Sequence, residues 1–139
     1  MTVICATAKF ALTREPGAVS FLRRSLRWFV AALGLTAEPM AEDMLLCASE
    51  LTTNSVLHAE GTKIIVEASW TARGTLRLEV SDTDRTTPVP TERPAGDCTV
   101  GGRGLPILAA TGDWGTWVYH WGKTVWWEAR RPSVPIVVG

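Results

Sequence analysis

Glu50-Leu51-Thr52-Thr53-Asn54-Ser55-Val56-Leu57-His58-Ala59 decides how the rest of this chain reads. An acid and an amide stand one helical turn apart in it, so on a helix both side chains leave the same face. The neighbouring residues supply that helix. Met40, Met44, Leu45, Ala48, Leu51 and Ser55 recur with a period of about 3.6 residues and predict an inward stripe over residues 39–59. Asp43, Glu50, Asn54 and Leu57 fall together to one side of the stripe, which sets Glu50 and Asn54 at the border of a core. A carboxylate there can take a proton from an attacking hydroxyl or water. The amide of Asn54 offers a neutral, hard oxygen suited to Mg2+, with phosphates left to supply the charge.

Thr36 is expected to cap this helix and Glu60-Gly61 to close it. Upstream, residues 3–12 read as a strand. Pro16 then suits a helix start and Gly34 a stop, with Phe21, Leu22, Leu26, Phe29, Val30 and Leu33 at helical spacing. Arg23, Arg24 and Arg27 lie opposite those apolar residues and read as a solvated face. Downstream, residues 63–70 and 75–81 form a hairpin signal around Arg73-Gly74. Its second strand ends at Asp82, whose carboxylate suits the exocyclic amino group of adenine and repels the oxygen that guanine carries there.

Residues 83–102 hold Pro88, Pro90 and Pro94 among Thr, Asp and Gly, a long loop of the kind that serves as a lid. It runs into Gly101-Gly102-Arg103-Gly104-Leu105, which opens a short helix over residues 103–110. Glycines immediately before a helix let backbone N–H groups converge on an anion, and Arg103 adds a forked donor for phosphate oxygens. The spacing is neither that of the Walker loop nor that of a dinucleotide-binding glycine motif. Residues 113–121 and 124–130 predict a second hairpin turning at Trp121-Gly122-Lys123. Five of the seven tryptophans fall between Trp114 and Trp127. Alternate ones are expected to pack the sheet, leaving the others outward as a partner surface.

These elements predict an α+β fold, a two-layer sandwich with helices packed on one face of a mixed, mostly antiparallel sheet. Residues 1–131 are expected to form a single domain and 132–139 a loose C-terminal tail. The 46% apolar and 20% charged content is that of an ordinary globular chain. Lys plus Arg equals Asp plus Glu, 14 against 14, so no basic excess argues for direct nucleic-acid binding. Cys5, Cys47 and Cys98 are odd in number and scattered, which argues against a disulfide framework and a structural zinc site. No leader-like segment and no apolar run of membrane length is visible, so the cytoplasm is the expected compartment. His58 and His120 lack the acidic and nucleophilic partners of a hydrolase triad.

Taken together, Glu50-x-x-x-Asn54, Asp82 and Gly102-x-Gly104 resemble the three boxes of the GHKL, or Bergerat-fold, ATPases. The stretch from Glu50 to Ala59, Gly102-Arg103-Gly104-Leu105 and Gly122-Lys123-Thr124-Val125-Trp126 are similar to the stand-alone anti-sigma-factor serine kinases of actinobacterial type. The resemblance implies Glu50 as general base, Asn54 as the Mg2+ ligand and Asp82 as the adenine reader. It places Asn54, Leu57, Asp82, Gly102, Arg103, Gly104, Leu105 and Thr124 in the ATP site, with Thr124 supporting the contact between Asp82 and adenine. It further implies ATP and Mg2+ as cofactors, phosphorylation of an anti-anti-sigma partner, sequestration of a sigma factor, and a possible homodimer.

The second box of the wider superfamily reads Asp-x-Gly-x-Gly. Here Asp82-Thr83-Asp84-Arg85-Thr86 carries neither glycine, and Asp84 brings a second negative charge toward the phosphates. That departure defines the alternative reading, a non-catalytic Bergerat-fold binding module that acts on a protein partner with or without nucleotide.

Overall fold

Along the strand that ends at Asp82, Leu76, Leu78, Val80 and Asp82 are buried, while Thr75, Arg77, Glu79 and Ser81 between them are partly exposed. That alternation is the mark of a sheet with one covered face. A computed structural model describes residues 2–84 and 104–132, with side chains in the last helix described from Pro106 onward. The elements run β1 (Ile4–Thr13), α1 (Gly17–Ala32), α2 (Pro39–His58), β2 (Lys63–Thr71), β3 (Thr75–Asp82), α3 (Gly104–Thr111), β4 (Asp113–Tyr119) and β5 (Gly122–Arg130). The sheet order is β1-β2-β3-β5-β4. All of its described pairings are antiparallel, where the sequence had allowed a mixed sheet.

The helices lie on one face of this sheet: α1 packs on α2 and β1, α2 on β3 and β5, and α3 on α2 and β4. The result is the two-layer α+β arrangement expected from the order of elements. Leu22 and Leu26 of α1, Met44 and Ala48 of α2, and Ile64, Val66, Leu76, Leu78 and Trp127 of the sheet form the core between the layers. Each large side chain buried this way stabilises the fold by roughly 1.5–3 kcal/mol relative to an exposed position.

Helix ends differ from expectation in one place. The N-cap of α2 is Glu38, with Pro39 at the first helical positions, and Thr36 is an exposed residue ahead of it. Proline's fixed φ and missing N–H suit the first turn without a side-chain cap. At the end of α1, Gly34 adopts φ 72°, the left-handed conformation that closes the helix.

The second hairpin also turns earlier than expected. His120 and Trp121 make the connection, so Gly122 and Lys123 belong to β5. Trp127 is fully buried, whereas Trp117, on the other face of the hairpin, is 45% exposed and Trp121, in the turn, is 46% exposed, so the tryptophans divide between core and surface.

No helix of the described residues is long and apolar enough to cross a membrane. Most of the expected lid, together with Cys98, Gly102, Arg103 and the tail from residue 133, lies outside the described residues.

Candidate functional site

The site forms where α2 crosses the end of β3. The Ser55 hydroxyl on α2 donates a hydrogen bond to Oδ2 of Asp82 on β3. This ties the strand-end carboxylate to the residue next to Asn54. Asp82 is only 5% exposed, so its carboxylate is a buried charge that must be supplied with donors. The backbone N–H of Asp84 donates to Oδ1 at 2.9 Å.

A third donor is Lys123. In the β3–β5 ladder it is the direct partner of Asp82, on the face that carries Leu78 and Trp127. Its Nζ lies 3.5 Å from Asp82 Oδ1, 3.2 Å from the Asp84 carbonyl and 3.3 Å from Asp84 Oδ2. The second negative charge introduced at Asp84 is therefore matched by a nearly buried ammonium. Gly122 precedes that lysine because a Cβ there would strike the carbonyl oxygen of Asp82.

The end of α2 is held by a cation as well. The Arg14 guanidinium donates to the carbonyls of Val56, at 3.3 Å, and Ala59. A positive charge on the last carbonyls of a helix satisfies orphan acceptors and opposes the negative end of the dipole. Past β3, the Thr83 hydroxyl accepts from the Gly61 N–H at 2.7 Å, which fixes the chain as it leaves the sheet.

Glu50 and Asn54 lie on α2, both half-buried, and among the described residues neither side chain makes a hydrogen bond or ion pair. They are uncommitted polar groups on the helix that Ser55 ties to a buried carboxylate. The charge of Glu50 also reaches Cys47. That thiol is pushed up to about 11, chiefly by burial, with a hydrogen bond shared with Thr111 opposing the shift and the charges of Asp43 and Glu50 adding to it. Among the described residues no three His, Cys, Asp or Glu side chains gather to hold a metal. The uncommitted amide of Asn54 has a neutral, hard oxygen of the kind that suits Mg2+ when phosphates supply the charge.

The remaining expected residues are distributed as follows. Leu57 is on α2 and 54% exposed. Gly104 opens α3 and Leu105 follows it, while Gly102 and Arg103 are not among the described residues. Thr124 does not stand beside Asp82. It pairs in register with Ser81, its hydroxyl 2.7 Å from that of Ser81, on the opposite face of the sheet. Sequence reasoning did not single out Lys123, Ser55's hydrogen bond or Arg14. Counting back by twos from the buried Trp127 and Val125 puts Lys123 on the Asp82 face, the signal that finds it.

Comparison with known proteins agrees with this architecture. Residues 12–114 match the histidine kinase-like ATPase domain family, and the chain belongs to it. Among solved structures it is similar to the RsbU and RsbW domains of Rv1364c from Mycobacterium tuberculosis, with 21% identity and a TM-score of 0.70. That match covers 92% of this chain and 34% of the other, so this chain spans about a third of its neighbour's length. No curated protein sequence matches significantly.

Proposed function

We propose that this protein binds ATP with Mg2+ at the α2–β3 junction and is a serine/threonine protein kinase. In this reading it is a cytoplasmic anti-sigma factor that phosphorylates an anti-anti-sigma partner. The observation that carries the proposal is the Ser55–Asp82 hydrogen bond, which ties the end of β3 to the helix that carries Glu50 and Asn54, two side chains left uncommitted. Membership in the histidine kinase-like ATPase family supports the nucleotide. The RsbW domain in the similar structure suggests the anti-sigma role.

Each residue has a distinct task. Asp82 accepts the amino hydrogens of the base. Asn54 supplies the protein's oxygen to Mg2+, which when bound neutralises charge on the phosphates. Glu50 would take the proton from the attacking seryl hydroxyl as its oxygen bonds to the γ-phosphorus, while the bond from that phosphorus to the bridging oxygen breaks and ADP leaves. By the resemblance, Gly102, Arg103, Gly104 and Leu105 would line the phosphates, and Leu57 would contribute to the nucleotide site from α2.

The test is label transfer from γ-labelled ATP to purified anti-anti-sigma proteins. Wild-type protein is expected to label serine. Glu50→Gln is expected to keep nucleotide affinity and lose transfer by roughly 10²–10⁴-fold, the usual contribution of a general base. Transfer at the wild-type rate in that variant would remove Glu50 from the mechanism.

A second reading, the non-catalytic binding module, is favoured by one observation: Asp82 is already engaged by Ser55, Asp84 and Lys123. Full partner affinity with no nucleotide bound, and none lost in Asp82→Asn, would support it.

A further inference from the structure

Lys123 is the nearly buried cation of the site, and the sequence motifs give it no role. Its side chain is 11% exposed and that of Asp82 4%, so both charges are held within the fold. The ladder places them side by side on the helix-covered face, and Thr124 points the other way. The ammonium has three donors and three acceptors around it. Two contacts go to Asp84, at 3.2 and 3.3 Å. The third, to Asp82 Oδ1, is the longest at 3.5 Å, at the outer limit of a hydrogen bond. It is the contact an inserted group displaces at least cost.

We propose that Lys123 is the second base-reading residue of the nucleotide site, donating from Nζ to the ring N1 of adenine while Asp82 accepts from its exocyclic amino group. This rests on the ATP-binding reading given above and deepens it. The reason lies in the edge of the base. Adenine presents a donor, the amino group, directly beside an acceptor, N1. Asp82 and Lys123 present an acceptor directly beside a donor, in the complementary order. Guanine placed in the same orientation sets its carbonyl oxygen against the carboxylate and its N1–H against the ammonium, two mismatches in place of two hydrogen bonds. Lys123 thus does what the resemblance had assigned to Thr124, and it does so with a charged donor. A site built to hydrogen-bond a ligand group discriminates strongly against an analogue lacking it, because its own buried polar group is left unpaired.

The test is a chemical double cycle read by calorimetry, with ATP, 1-deaza-ATP (in which C–H replaces N1) and GTP titrated into wild type and Lys123→Met. Wild type is expected to bind 1-deaza-ATP roughly 10–100-fold more weakly than ATP, the worth of one charge-assisted hydrogen bond. Lys123→Met is expected to bind ATP and 1-deaza-ATP equally, and to narrow the preference for ATP over GTP. Because a lone buried charge can unfold the variant, the same titrations are made on Lys123→Met/Asp84→Asn, which removes one charge of each sign and leaves the net charge unchanged.

Three results overturn the proposal. Equal binding of ATP and 1-deaza-ATP by wild type means that nothing reads N1. Tighter ATP binding in the lysine variants makes Lys123 an occluder of Asp82. A loss of ATP and 1-deaza-ATP by the same factor makes Lys123 a structural partner only. No binding of any nucleotide by folded wild type contradicts the ATP-binding reading itself and so is distinguishable from all three.

Discussion

Asp82 shows how burial turns a turn-forming residue into a site. At the end of an exposed strand an aspartate would be local turn chemistry. Here it is enclosed, and Ser55, Asp84 and Lys123 supply donors to both of its oxygens. The same reasoning separates the cysteines. Cys5 is exposed and Cys47 buried. Burial raises the Cys47 thiol from an ordinary 9.0 to about 11, so the folded state holds a proton that the unfolded chain releases earlier. Its contribution to stability is complete below pH 9.0 and is lost as pH climbs toward about 11. In a Cys98→Ser background a thiol reagent at about pH 8 is expected to label Cys5 at once and Cys47 only after urea unfolds the chain, since the thiolate is the reactive form. Equal labelling rates in the native protein would contradict the buried position of Cys47.

At the level of elements, the sheet is anchored by β5, and Trp127 is its centre. The indole is fully buried, and its Nε1 donates to the Thr111 hydroxyl at 3.0 Å, joining β5 to the end of α3. Trp127→Ala is expected to cost about 3–5 kcal/mol in urea unfolding, as large core truncations do. Trp28→Ala, on an α1 side chain that is 76% exposed, is expected to stay within about 0.5 kcal/mol of wild type. A small effect at Trp127 would contradict the placement of the second hairpin. The helices α1 and α2 were legible because their apolar residues keep one period over several turns. The β4–β5 turn was misplaced for a specific reason. Gly122 resembles a turn glycine, yet it is a glycine because the Asp82 carbonyl occupies the space of a Cβ. A glycine required by close approach and one required by a turn look alike in sequence. Once Gly122 was assigned to the turn, Lys123 was lost from the strand, and the register that sets it beside Asp82 was hidden. The resemblance, and not the register, is what points to Thr124 in the expected site. Arg14 was missed because its partners are backbone carbonyls across the fold, which no side-chain pattern records.

Across the whole molecule, the elements that carry the three parts of the motif pack as neighbours, α2 against both β3 and α3. The α2 helix carries Glu50 and Asn54, the central strand β3 delivers Asp82 under its last turns, and α3 begins at the glycine-rich segment. Opposite charges are interleaved there, with Lys123 between Asp82 and Asp84, so the added negative charge of Asp84 is balanced within the fold. The outer face of the sheet has its own order: the Arg77 guanidinium lies over Trp117 and Trp126 at 5.6 and 4.8 Å and pairs with Glu79 and Glu128. That face is separated from the site by the sheet itself. The central claim is therefore a magnesium-dependent nucleotide site at the α2–β3 junction, and calorimetric titration of ATP tests it most directly. The titration is made with Mg2+ and with a chelator, on wild type and on Asn54→Ala. The account predicts micromolar binding that needs Mg2+ and is lost in the variant; no heat from folded wild type, or equal affinity in Asn54→Ala with and without the metal, would contradict it.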